Sequence, residues 1–196
     1  MVLAQDYLAT LAWAVAFSGI LLGVASIILP YNKETGRVEK EASHLSRGVA
    51  IPMGIMGMYL FLAGLHISFA WPFQIAGGVY NVLFGGIATM GGLLFLGGAV
   101  LLVTNSSLKP ISYLSGVTGL YAVVDAFAIV QYGLTDNPFF SALGYLSLAA
   151  PAFLFIVVAH TEAKRWRWIF TIFALLFAAA WLIQAVLYTI MHLQPT

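Results

Sequence analysis

Long apolar runs separated by short polar ones set the first expectation. Six stretches, approximately residues 8–29, 48–71, 80–103, 110–132, 139–159 and 168–191, are nearly free of charge, and each is long enough as a helix to cross a hydrocarbon core about 30 Å thick. Between them lie the polar loop PYNKETGRVEKEASHLSR at 30–47 and four short connections with turn residues, PFQIAGGV, TNSSLK, GLTDNP and HTEAKRWR. No run shows the alternation of barrel strands, and lipid offers no water to satisfy open backbone, so helices are the economical reading. The pattern predicts an all-α integral membrane protein in which residues 1–196 form a single transmembrane domain, a bundle of six transmembrane helices.

Composition strengthens that reading. Of 196 residues, 62% are hydrophobic and 8% charged, far from the balance of a soluble domain. The absence of cysteine removes disulfides and thiolate ligands. Charge placement then adds a direction: Lys33, Arg37, Lys40 and Arg47 fall in the first loop, Lys109 in the third, and Lys164, Arg165 and Arg167 in the fifth. Basic loops are retained in the cytoplasm, so loop 30–47 is expected to be cytoplasmic and both termini outside. The first span has only Asp6 ahead of it and no small-residue cleavage site, which reads as a permanent span. Trp13, Trp71, Trp166 and Trp168 suit interfacial belts, whereas Trp181 lies too deep and is expected to pack in the bundle. The mixed charges of VEKEASHLSR read as a solvated connection, with a short surface helix as the alternative.

Three polar residues stand inside the spans: His66 in the second, Asp125 in the fourth and Gln184 in the sixth. A charge at mid-depth costs about 3 kcal/mol, so such groups face the bundle interior and meet a partner or water. With a rise of about 1.5 Å per residue, Asp125 and Gln184 lie on the order of 6 Å, and His66 on the order of 9 Å, toward the outer end of their spans. These spans run in the same direction, so the heights allow the three to meet. The expectation is a shared, partly hydrated cavity opening outward, with Tyr121 on the face of Asp125 at i−4. Tyr80 and Asn81 would help bind a solute there, while His66 and Asp125 relay a proton. The plainer alternative has each polar group bonded locally as a packing device.

The third span carries GGIATMGGLLFLGG, with glycine pairs at Gly85 and Gly86, Gly91 and Gly92, and Gly97 and Gly98. Six residues advance about 600° around a helix, so the pairs spiral. They predict a centrally packed helix that touches several neighbours, in preference to a pore lining. Pro52 falls in the first turn of the second span, and Pro151 in mid-fifth span is expected to kink it. No metal triad, nucleophile with base, or phosphate loop appears, so no enzyme, metal or cofactor is expected. A bis-histidine haem would need facing imidazoles, and only His66 and His192 share a side, at poorly matched depths. What remains is a small-solute transporter or channel, for a weak acid or a proton-coupled ion. Its expected partners are the lipid bilayer, the solute, and copies of itself or membrane-complex subunits. The alternative is an accessory subunit of a larger membrane complex. The net charge of +1 gives no footing for nucleic acid.

HISFAWPFQIAGGVYNVLFGG at 66–86, together with YGLTDNPFF at 132–140, resembles the prokaryotic membrane family catalogued as domain of unknown function 981, over most of the chain. The resemblance implies a small multi-span membrane protein without an established activity, and the plasma membrane is the expected location. It marks His66, Trp71, Pro72, Tyr80, Asn81, Phe84 and Gly85 as a signature with no assigned role. A weaker likeness, carried by FGGIA at 84–88, GLTDNP at 133–138 and the basic turn before the sixth span, is to the acetate and succinate permease family. That family's Asn-Pro-Ala-Pro signature in the first helix is absent here, and its termini are cytoplasmic, so the likeness serves only to rank weak acids among the solutes.

Overall fold

A computed structural model describes residues 2–39, 42–72, 78–161 and 163–193, with 2–7 and 191–193 described as backbone alone. Its long helices are α1 (Val2–Ile28), α2 (Ser43–Ala70), α3 (Val79–Val103), α4 (Lys109–Tyr132), α5 (Pro138–His160) and α6 (Lys164–Leu193). All six are long and apolar enough to cross a membrane. The turn between α2 and α3 lies largely outside the described residues, as does the side chain of His192.

Because the helices are apolar all round, polarity does not choose their inward faces. Size does. The buried positions of α4 are Ser112, Ser115, Gly116, Thr118, Gly119, Ala122, Asp125, Ala126 and Ile129, whereas Tyr113, Val117, Leu120, Val124 and Phe127 are exposed. Small residues let helices approach where no hydrophobic force between them exists, and large apolar ones meet lipid at no cost.

Consecutive helices are neighbours, and α6 returns to α1, so the six close into a ring. Three pairs in it are tight: α2 with α3, α4 with α5, and α6 with α1. Glycine makes the first possible. A Cβ at Gly57 would lie 2.6 Å from the Leu96 backbone nitrogen, and at Gly92 it would strike the Phe61 backbone. Gly19 does the same for α1 against Phe177 and Ala178 of α6, and Gly119 brings α4 onto Ala149 and Ala152 of α5. Looser seams separate the pairs.

One end of the ring gathers the basic residues. There the first loop is an antiparallel hairpin, β1 (Tyr31–Asn32) paired with β2 (Arg37–Val38), strapped to α5 and to the start of α4. Tyr31 Oη donates to Ala159 O at 2.6 Å, Leu108 N to Gly36 O at 2.7 Å and Lys109 Nζ to Glu34 O at 3.2 Å. Arg167 of α6 donates to Ser26 O at 3.0 Å through Nε and 2.5 Å through a terminal nitrogen, and to Leu29 O at 2.5 Å. It thereby caps carbonyls that the end of α1 leaves open.

The loop is shorter than the hydropathy pattern predicts. Ser43 to Arg47 already belong to α2; their polarity suits a first turn that projects past the hydrocarbon. Pro52 therefore lies inside α2, beyond its first turn. The helix α5 runs through Pro151 without a break.

Candidate functional site

The inward stripes of the helices define a line through the ring. Toward the basic end that line opens into a cavity of about 180 Å³, touched by all six helices and by Tyr31 and Val38 of the hairpin. Its wall is almost wholly apolar: Leu22, Met53, Phe95, Ile111, Phe155 and Phe170 are representative, with Ser26, Ser115, Thr118 and Arg167 as the polar members. Ser115 Oγ is committed to Ala152 O at 2.9 Å, and Thr118 Oγ1 to Leu114 O at 3.0 Å. A small apolar chamber with its hydroxyls already satisfied has little to hold water with.

From the cavity toward the terminal end the same stripes continue. Tyr145 is three residues beyond cavity-lining Leu148 on α5, and Trp181 is four beyond Phe177 on α6. On a rise of 1.5 Å per residue this places both roughly 5 Å past the cavity. Phe84 on α3, Asp125 on α4 and Gln184 on α6 are each seven residues past a lining residue (Gly91, Thr118 and Phe177), or about 10 Å. The rings form a trio. Phe84 meets Trp181 edge to face at 6.4 Å and Tyr145 at 6.4 Å, and Tyr145 meets Trp181 at 6.1 Å. Trp181 and Tyr145 are each 3% exposed, so the trio plugs the line.

The plug is fixed by backbone bonds. Tyr145 Oη donates to Leu83 O at 2.9 Å and Trp181 Nε1 to Gly144 O at 3.2 Å. Asp125, beside it, is only 7% exposed, and its Oδ2 has no hydrogen-bond partner. Its electrostatic neighbours are Tyr121 and Tyr145. From there a chain of polar groups leads outward: Tyr145 feels Tyr188, Tyr188 feels Tyr80, and both Tyr188 and Tyr80 feel Asp136, which is exposed in the turn before α5.

Asp125, Tyr121, Gln184 and Tyr80 thus belong to the half of the ring on the terminal side of the cavity. His66 does not join them. It lies in the exposed stripe of α2 with Ile51, Ile55, Met58, Leu62 and Phe69, whereas only axis-facing side chains of α2 and α4 can meet, since these helices are not adjacent in the ring. The expected His66–Asp125 pocket is therefore not formed. His66 stands one turn from the end of its helix, where an amphipathic side chain reaches the interface.

Asn81 has a local task. It is 1% exposed and its Nδ2 donates to Gly78 O at 3.1 Å, at the start of α3. Gly78 has φ +83°, and the Trp71 indole fills the space its Cβ would need. Trp71, Gly78 and Asn81 therefore stitch the α2–α3 turn, a structural reason for the WPFQIAGGVYN motif. The glycines of α3 divide by face. Gly85, Gly92 and Gly98 meet α2, Gly86 and Gly97 meet Tyr121 and Ile111 of α4, and Gly91 has nothing within 4 Å and borders the cavity.

A family model described as "Protein of unknown function (DUF981)" matches residues 1–195. The chain belongs to the DUF981 family. No curated protein matches it. The DUF981 chain is similar in structure to the Helicobacter pylori urea channel in its closed state, seen by cryo-electron microscopy, with a TM-score of 0.70 and 14% sequence identity over 95% of this chain and 100% of that one. The likeness is one of fold. Within the DUF981 ring, sequence reasoning missed Tyr145, Tyr188 and Arg167. A signal existed for α6: Phe170, Phe177, Trp181, Gln184 and Tyr188 recur at spacings of three, four and seven, which marks one helical face.

Proposed function

We propose that this protein is a channel for a small uncharged solute, which passes along the axis of the ring between the polar cluster at Asp125 and the apolar cavity at the basic end. The observation that carries the reading is the continuity of the inward stripes. On α3, α4, α5 and α6 the residues that line the cavity are followed, on the same face, by those of the aromatic trio and the polar cluster. Intramembrane ionisable groups on an interior face mark substrate pathways by default. The fold shared with a urea channel in a closed state supports the same reading, and the interlocked trio fits a closed state here too.

An uncharged solute suits the wall. Among the described residues the cavity wall bears no acid, and its cation there, Arg167, is engaged by Ser26 and Leu29 carbonyls. An ion would lose its hydration there without replacement. A weak acid would pass in its protonated form. On this reading the protein works in the plasma membrane, with the basic loops favouring a cytoplasmic side and both termini outside, and it needs no enzymatic chemistry.

Purified protein in proteoliposomes, assayed by stopped-flow light scattering against urea, acetamide and glycerol gradients, should show flux above protein-free vesicles that rises linearly with the gradient and needs no proton gradient. Gly91→Leu, which fills open space at the cavity wall, should reduce it while the protein stays monodisperse. Flux equal to that of protein-free vesicles, together with co-purification in fixed ratio with other membrane proteins, would favour an accessory subunit instead.

A further inference from the structure

The hydrogen-bond inventory around Asp125 is unbalanced. The fixed donors are engaged: Tyr145 O–H by Leu83 O and Trp181 N–H by Gly144 O. The acceptors are left over. Asp125 Oδ2 is buried with no partner, and no ion pair reaches the carboxyl among the described residues. The Tyr145 oxygen keeps a lone pair after donating, since a phenol both donates and accepts.

A buried acceptor without a donor costs stability, and natural interiors leave few of them. One that sits on the axis of a ring, at the inner end of a chain of phenols leading from exposed Asp136, has a ready explanation in a molecule that arrives with donors of its own. On α4 Asp125 is in phase with Ser115, Thr118 and Ala122, the face that borders the cavity, so a molecule bound to it stands on the line of passage. Phe84 and Trp181, set edge to face 6.4 Å apart, belong to the same half of the ring.

Resting on the channel reading, we propose that Asp125 and the Tyr145 oxygen form a solute-binding site selective for small neutral molecules carrying N–H donors, of the amide and urea class. A planar amide presents its N–H edge to the two acceptors, and the Tyr121 hydroxyl, which lies against Gly86, meets its carbonyl. Molecules of equal size that only accept hydrogen bonds leave both acceptors without a donor, and anions are repelled.

The test compares urea and acetamide with dimethyl sulfoxide, a donor-free solute of the same heavy-atom count, in the proteoliposome assay. After subtraction of protein-free vesicles, wild type should pass urea and acetamide about tenfold faster than dimethyl sulfoxide, the discrimination one good hydrogen bond confers. Asp125→Leu, close in shape and without an acceptor, should bring the ratio near one and raise thermal stability, because it removes an unpaired buried polar group. Asp125→Asn, which keeps an acceptor, should retain an intermediate ratio and controls for a failure of the leucine variant to fold. Equal passage of all three solutes by wild type, or an unchanged ratio in both variants, would overturn the binding site and leave the channel standing. No flux of any solute would overturn the channel reading and this inference with it.

Discussion

Gly91 and Gly92 are adjacent in sequence and opposite in consequence. A Cβ at Gly92 meets the Phe61 backbone, at 2.6 Å from its Cα, whereas one at Gly91 meets nothing within 4 Å. Gly92→Ala must therefore push α3 away from α2, and overpacking of this kind costs about 1–3 kcal/mol. At roughly 2–4 °C per kcal/mol for a chain of this size, the variant should melt several degrees below wild type in detergent. Gly91→Ala should melt within about a degree of wild type, removing backbone entropy from the unfolded chain without a clash. Equal loss in both would mean that the α2–α3 contact is not set by that backbone approach. The same pair shows what a sequence conveys at this scale. Height along a helix follows from counting, so Asp125, Tyr121 and Gln184 could be placed in one half of the bundle from the sequence. Rotation about the axis does not follow when every face is apolar. His66 therefore shared the height of Asp125 and not its direction, and nothing in the residue types told Gly91 from Gly92.

At the scale of elements, each apolar stretch falls on one helix, with ends that differ by up to six residues, because twenty apolar residues in a row admit one solution in lipid. It was silent on the hairpin and on Arg167, since a polar loop with mixed charge carries no period. These two features close the basic end. Arg167 borders the axial cavity and also an open crevice lined by Ile28, Pro30, Glu39, His44 and Leu45, so one side chain stands between chamber and solvent. Arg167→Ala should release the carbonyls of Ser26 and Leu29, lower stability by about 1–2 kcal/mol for the lost bonds, and increase solute flux. Arg167→Lys should recover part of the stability, since an ammonium cannot span both carbonyls as the guanidinium fork does. A loss of stability with unchanged flux would reduce Arg167 to a helix cap. Tyr31 adds a pH signature to the same end. Burial pushes its phenol from 10.0 up to about 12, a folded value above the unfolded one. Its bond to Ala159 O thus contributes in full below pH 10 and is lost as the pH rises toward 12. A difference titration of tyrosinate absorbance between wild type and Tyr31→Phe should show one phenol ionising late; a normal titration would mean that the hairpin is not seated on α5.

For the whole molecule, the closed ring is what converts six lipid-soluble helices into something with an inside. A ring of three tight pairs, each locked by glycine, leaves a central line whose width is decided by the side chains that reach it. Alanines and aliphatic side chains make up much of the core there, and the trio of Phe84, Tyr145 and Trp181 supplies its interlocked rings. If that trio is the constriction, trimming it should widen passage more than it harms the fold. Trp181→Phe keeps an aromatic body, deletes the bond from Nε1 to Gly144 O and removes one ring of the indole. The lost bond alone sets a destabilisation of about 1 kcal/mol, and the smaller ring adds a partial cavity. Flux of urea should rise several-fold, and solutes that wild type excludes by size, such as methylated ureas, should begin to pass. A trio that merely packs the core gives the opposite pattern: stability falls by the same amount while the flux and size limit of wild type persist. A gate sets the size limit and a packed core does not, so measuring that limit for wild type and Trp181→Phe in the same vesicles decides whether the rings are a gate or only a core.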